Sequence, residues 1–148
     1  MSIEWKTPVT DREPADIVNK SAKAYLNAED LSRIESNAGY ISVLLNLYLY
    51  PILIQSKKWD KVKIPTTADI KRICDNVDSF ADVFYRPNEF ADVKYLAEKS
   101  LGYQDVNDLE TNLLLIKTLL DYMIAGFHKS NQTGFKAGKN SYLPRRRV

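Results

Sequence analysis

Chemistry in this 148-residue chain would have to come from one cysteine, one histidine and a run of carboxylates. Cys74 stands beside Ile73 and near Val77, the setting of a small buried thiol. A free cysteine of this kind packs as an apolar group. His128 is expected just past the end of the last helix, where an imidazolium would complement the helix dipole. One Cys and one His fall short of the four ligands of a structural zinc site, and nothing beyond coexistence pairs them as nucleophile and base. The stretch "TGFKAGK" (133–139) lacks the spacing and the Ser or Thr of a phosphate-binding loop. Asp75, Asp78 and Asp82 share one helical face, which reads as a solvated acidic face rather than a cation site. No catalytic, cofactor-binding or metal-ligating residue is assigned, and the chain reads as a non-enzyme.

The elements that would position such residues come from a repeated phrase. "NAEDLSRIESN" (27–37), "TTADIKRICDN" (66–76) and "DVNDLETNLLL" (105–115) begin 39 positions apart. Asn27, Thr66 and Asp105 are expected N-caps, each followed three residues later by an acid, Asp30, Asp69 and Asp108. That is the pattern of a capping box, with the charge placed at the positive end of the helix. Apolar positions follow in register: Leu31, Ile70, Leu109; Ala38, Val77, Ile116; Ile41, Phe80, Leu119. The third copy departs at Asn112, which falls where the first two have Ile34 and Ile73.

These signals predict an all-α fold: a bundle of three long helices at about 28–50, 67–86 and 106–127, with shorter helices at about 15–26 and 89–101. Pro51 and Pro87 end the first two long helices and Gly126 loosens the third. Residues 52–65 read as an irregular connector, with Trp59 and Ile64 covering the bundle. A period near 40 also suits a solenoid, but the uneven connectors favour a compact bundle. Residues 40–50, including Tyr48 and Tyr50, and residues 113–124 are apolar on nearly every side, the mark of a central or shared helix. Asn46, Asn37 and Asn76 are expected at the partly solvated edges of their helices, or else bonded to neighbouring backbone.

Bulk numbers agree with one soluble domain. Hydrophobic residues make up 45% and charged residues 27%, with five glycines. The N-terminus lacks the apolar stretch of a secretory signal. The longest apolar run, 40–54, contains Asn46 and Pro51 and is shorter than the ~20 residues a membrane span needs. A reducing, aqueous compartment is expected. Net charge is +2, yet residues 129–148 carry six Lys or Arg and no acid, leaving 15 basic and 19 acidic side chains in the rest. Two parts follow: a bundle at 1–128 and a basic, extended C-terminal arm at 129–148. Phe135, Tyr142 and Leu143 would anchor the arm, and Arg145, Arg146 and Arg147 would meet an acidic patch or phosphates. Nucleic acid is the weaker of those two, because the body is acidic and has no basic recognition helix.

Three phrases carry a resemblance: "TDREPADI" (10–17), "YLNAEDLSRIESNAGYI" (25–41) and "WDKVKIPTTADIKRICDNV" (59–77). Over about residues 5–125 the chain resembles structural proteins of the tail region of tailed phages and prophages of Gram-positive bacteria. Asp11, Arg12, Ala15, Asp16, Asn27, Asp30, Leu31, Arg33, Ile34, Asn37, Trp59, Pro65, Asp69, Arg72, Ile73 and Asn76 are the matching positions. The resemblance implies a non-enzymatic building block of the baseplate, fibre or fibre-attachment region, made in the host cytoplasm and carried in the virion. Its partners would be other tail or baseplate proteins, and copies of itself in a homo-oligomer. The alternative is a small phage-encoded regulatory or nucleic-acid-binding protein that uses the basic arm.

Overall fold

The computed structural model describes residues 3–21, 23 and 26–138, with side chains as far as Phe127. The described residues contain helices and no strand. Four α-helices follow in order: α1 (Pro14–Val18), α2 (Ala28–Leu47), α3 (Thr67–Val83) and α4 (Tyr103–Gly138). A 3-10 turn at Leu96–Glu98 precedes α4. The chain divides into two compact units, Met1–Ile116 and Lys117–Val148, a boundary twelve positions before the one the charge pattern suggests.

The first unit holds α2, α3 and the start of α4 as far as Ile116, each preceded by a largely non-helical strap: residues 3–12, 51–65 and 86–101. Asn27 Oδ1 accepts from the Asp30 N–H at 2.9 Å while Asp30 Oδ2 accepts from the Asn27 N–H at 3.2 Å. Thr66 and Asp69 form the same reciprocal pair at 3.2 and 2.9 Å. The third helix starts one turn earlier than expected. Gly102 occupies the cap, and its N–H donates to Asp105 Oδ2 at 2.8 Å, so Asp105 is the reaching acid and not the cap. Asp108 lies in the next turn and accepts from Gln104 at 3.3 Å.

This shift corrects the register of the repeat. The third copy begins 36 residues after the second, and Asp30, Asp69 and Asp105 are the equivalent acids. In that register the apolar positions become Ile34, Ile73, Leu109; Ala38, Val77, Leu113; and Ile41, Phe80, Ile116, every one of them buried. Apart from Ala38, each such side chain contributes about 1.5–3 kcal/mol by leaving water. Asn112 is no longer an intruder among isoleucines: it is the counterpart of Asn37 and Asn76.

Those asparagines bind the straps. Asn37, fully buried, accepts from the Lys6 N–H and donates to the Lys6 carbonyl, both at 2.8 Å. Asn112 does the same for Ala91, again at 2.8 Å in both directions. Asn76 donates to the Gln55 carbonyl at 2.8 Å. In the second and third copies the asparagine and its strap residue are 21 positions apart, which confirms the repeat independently of the caps. An extended segment on a helix has backbone groups with no ladder to join, and the amide side chain supplies both a donor and an acceptor.

Two expected short helices shrink for the same reason. Around 89–101 both backbone groups of Ala91 face Asn112, so neither serves a helix, and only the turn at Leu96–Glu98 remains. The 15–26 segment ends as helix at Val18; Lys20 then takes φ +52° and the chain turns so that the Lys23 carbonyl meets Arg12 Nε at 3.1 Å. α2 stops at Leu47, before Pro51. The Leu49 N–H donates to the Asn46 carbonyl and the Tyr50 N–H to the Leu45 carbonyl, with Leu49 at φ +69°. That pair of bonds is a Schellman cap. α3 likewise ends at Val83, short of Pro87. α4 runs through Gly126 to Gly138, so residues 129–138 of the expected extended arm are helix, Phe135 among them, and His128 is internal to the helix rather than past its end. Tyr142, Leu143, Arg145, Arg146 and Arg147 lie outside the described residues.

Replacing Asn112 with Leu keeps the branching at Cγ but strips partners from the Ala91 N–H and C=O; a loss of about 2–4 kcal/mol is expected in urea unfolding. A pH titration of stability reports on the second cap. The Thr66 N–H, and after it Lys57, hold the Asp69 carboxyl below its ordinary 3.8, at about 2. Its contribution is therefore complete above the unfolded value and disappears as pH falls from about 4 toward 2, and the Asp69→Asn variant is expected to show a flatter acid limb.

Candidate functional site

Two features of the first unit have the geometry of a site: a buried cluster of charges and an exposed apolar end of α2. The cluster begins with Arg12, 4% exposed, in the first strap. Its Nη2 donates to Asp30 Oδ1 at 3.1 Å and to Glu110 Oε2 at 2.8 Å. Nη1 donates to the Val9 carbonyl at 2.6 Å and to Asn107 Oδ1 at 3.2 Å. Arg33, one turn after Asp30 on α2, donates to Asp30 Oδ1 and Glu110 Oε1 at 2.6 Å each. Two guanidiniums face two carboxylates, so the cluster is neutral as a whole. Asn107, one turn before Glu110 on α4, accepts from the Arg12 N–H at 3.2 Å and donates to the Arg12 carbonyl at 3.0 Å. The Val9 N–H completes Glu110 at 3.1 Å.

The chemistry available here is that of a staple. Hydrogen bonding to Glu110, and then to Asp30, raises the Arg33 guanidinium well above its ordinary value against the opposing effect of burial. Every polar atom of Arg12 is engaged with the chain itself, leaving no donor for a ligand. The spacing of the partners, 18, 95 and 98 positions from Arg12, ties the first strap, α2 and α4 together.

A second junction forms around Glu35 of α2, 6% exposed. It accepts short hydrogen bonds from Arg72 Nη1 of α3 and from Trp59 Nε1 of the second strap. The Lys57 N–H adds two longer ones at 3.2 and 3.3 Å. Trp59 thus faces a carboxylate, with Lys57 Nζ 4.7 Å from its ring, while Ile64, expected to cover the bundle, is 84% exposed. Arg72 Nη2 is buried with no hydrogen-bond partner among the described residues, and Arg72 lines a cleft of about 420 Å³ with Leu53, Lys71 and Asp75.

The residues singled out for chemistry have local roles. Cys74 is fully buried, and desolvation, followed by the nearby Asp75, pushes its thiol up to about 12. The acidic face of α3 is neutralised: Asp75 meets Lys71 at 2.6 Å, and Arg86 bridges Asp78 at 3.1 Å and Asp82 at 2.6 Å. Among the described residues no group of three or more His, Cys, Asp or Glu could hold a metal ion, and no helix is long and apolar enough to cross a membrane.

Four exposed aliphatic side chains lie in sequence around the close of α2. Val43 and Leu47 lie one turn apart on α2, 51% and 67% exposed. Leu49 is 87% exposed and Leu53 93%. Asn46 folds the chain back here: its amide donates to the Ile52 carbonyl at 2.9 Å and accepts from the Ile52 N–H at 3.0 Å. Tyr50 packs edge-on against Phe84, ring centres 5.1 Å apart, and Tyr48 is half-buried. The two tyrosines expected to face a partner are thus less exposed than the neighbouring aliphatic side chains.

Sequence reasoning missed Glu110 and Asn107, whose partners are nearly a hundred positions away. It misassigned Asn112 because the third cap is a glycine with no side-chain signal. Comparison with protein-family models, curated proteins and solved structures finds nothing that matches this chain. Replacing Glu110 with Gln leaves two guanidiniums against one carboxylate in a dry site. Chemical denaturation is expected to show a loss of about 3–5 kcal/mol that added salt does not abolish.

Proposed function

We propose that this protein is a non-enzymatic structural component of a phage tail or tail-like particle, in the baseplate or fibre-attachment region, working through contacts with neighbouring tail proteins. Its place would be the virion, after synthesis in the host cytoplasm. Support from sequence is the "NAEDLSRIESN" phrase and its companions. Support from structure is Leu49. A leucine at φ +69° is strained by about 1–2 kcal/mol, and glycine would relieve it. Leu49 contributes little to the core, being 87% exposed. A strained, exposed aliphatic side chain among Val43, Leu47 and Leu53 fits a contact surface that a partner covers.

The buried polar groups support the same reading. Arg12, Asp30, Arg33 and Glu110 hold the chain's own segments in place, as a rigid building block requires. The Leu49→Gly variant separates stability from assembly. It is expected to gain about 1 kcal/mol in urea unfolding and to lose incorporation into particles when phage carrying the variant gene are purified and their proteins quantified. Incorporation at the level of the unmodified chain would remove the surface from the proposal. Deleting residues 129–148 is likewise expected to leave the first unit folded by circular dichroism while abolishing incorporation.

A further inference from the structure

The three straps are gripped alike but not seated alike. In the first and third, the asparagine takes both the N–H and the C=O of one strap residue. In the second, Asn76 takes the Gln55 carbonyl, and the returning bond from the Gln55 N–H is missing among the described residues. Side-chain burial differs in the same sense. Counted from the gripped residue, Phe90, Val93 and Leu96 of the third strap are buried, whereas their counterparts in the second are Ile54, Lys57 and Asp60, none of them buried. No residue of 51–65 is buried at all, and Leu53, Val62 and Ile64 are almost wholly exposed. Clefts open between this strap and each helix it meets. One of about 420 Å³ is lined by Leu53 and Gln55 with Lys71 and Asn76 of α3, and one of about 710 Å³ by Lys57 and Trp59 with Ser32 and Ser36 of α2.

The hold on this strap converges on one carboxylate. Glu35 accepts from the Trp59 indole, from the Lys57 N–H and from Arg72 Nη1, which also donates to the Gln55 carbonyl at 2.8 Å. Outside this junction, Lys57 Nζ meets Asp69 at 3.1 Å with the lysine 40% exposed, and Asn46 holds Ile52 at the start of the strap. A segment with few buried apolar contacts opens far more readily than the core that carries it. We propose that residues 53–63 form a flap that leaves the helices as a unit while the rest of the first unit stays folded, and that Glu35 is the latch that keeps it closed. Opening bares Glu35 and Arg72, whose side chains are 6% and 19% exposed when the flap is shut. It also gives water to Arg72 Nη2, which the closed flap leaves buried with no hydrogen-bond partner among the described residues. The third strap, with Phe90, Val93 and Leu96 in the core, opens only when the core does. This motion lies within the first unit and does not depend on the assembly reading.

The full chain is treated with trypsin at a series of urea concentrations below its unfolding transition, and the cut sites are read by mass spectrometry. Cutting at Lys57, Lys58, Lys61 and Lys63 is expected to be at least about tenfold faster than at Lys94 and Lys99 of the third strap. Its rate should barely rise with urea, because little surface is exposed by the opening, while cutting at Lys94 and Lys99 should track global unfolding. Glu35→Gln is expected to speed cutting in the flap by a further factor of about ten with the same shallow dependence on urea. Trp59→Phe, which keeps an aromatic ring but removes the indole donor, should act in the same direction by a smaller factor. Flap cutting that rises with urea as steeply as cutting at Lys94, or that is unchanged in both variants, would overturn the proposal.

Discussion

A polypeptide segment laid along a helix in extended form has backbone donors and acceptors that no ladder satisfies, and the first unit depends on how that constraint is met. Side-chain amides on the helices meet it. Asn37 and Asn112 each take both polar groups of one strap residue, and Asn76 takes the carbonyl of another. Each asparagine lies ten residues beyond its helix cap, one position before a buried apolar side chain. The straps are therefore held at the edge of the hydrophobic core, where Val93 and Leu96 of the third can join it. Packing supplies most of the free energy, and the amides decide which stretch of chain lies where.

The charged cluster makes a different compromise. Two buried ion pairs give back much of their attraction in lost hydration, and an apolar core of the same volume is often as stable. Specificity is what they add. Arg12 fits one place, because its fork must meet Asp30, Glu110, Asn107 and two carbonyls together. Asp30 serves two tasks with its two oxygens: Oδ2 closes the helix cap and Oδ1 receives both arginines. The start of α2 is thereby coupled to the first strap and to α4.

What could be read from sequence was what is local. All three caps join residues three apart, but only two pair side chains reciprocally, and both of those were legible at Asn27–Asp30 and Thr66–Asp69. The all-helical class followed from apolar spacing. The third start was displaced because Asp105 and Asp108 both suit a capping box, and Gly102, lacking a side chain, gives no sign of its role. The segments 15–26 and 89–101 have helical patterns that tertiary bonds override: Ala91 is claimed by Asn112, and the turn after α1 serves Arg12. Gly126 proved too weak a breaker to end α4. The staple was invisible for a plain reason, since pairs separated by about a hundred positions leave no periodic trace.

The three strap-and-helix copies are not equal in length. In the second and third, 21 positions separate the gripped residue from its asparagine, whereas in the first the separation is 31. The ten extra residues hold α1 and its turn, and they sit between the grip and the helix start without disturbing either. The architecture has in this way already accepted a graft at one of three equivalent points. The corresponding stretches before α3 and α4 are natural places for foreign sequence, such as an epitope or a second binding module, to be carried on the same frame.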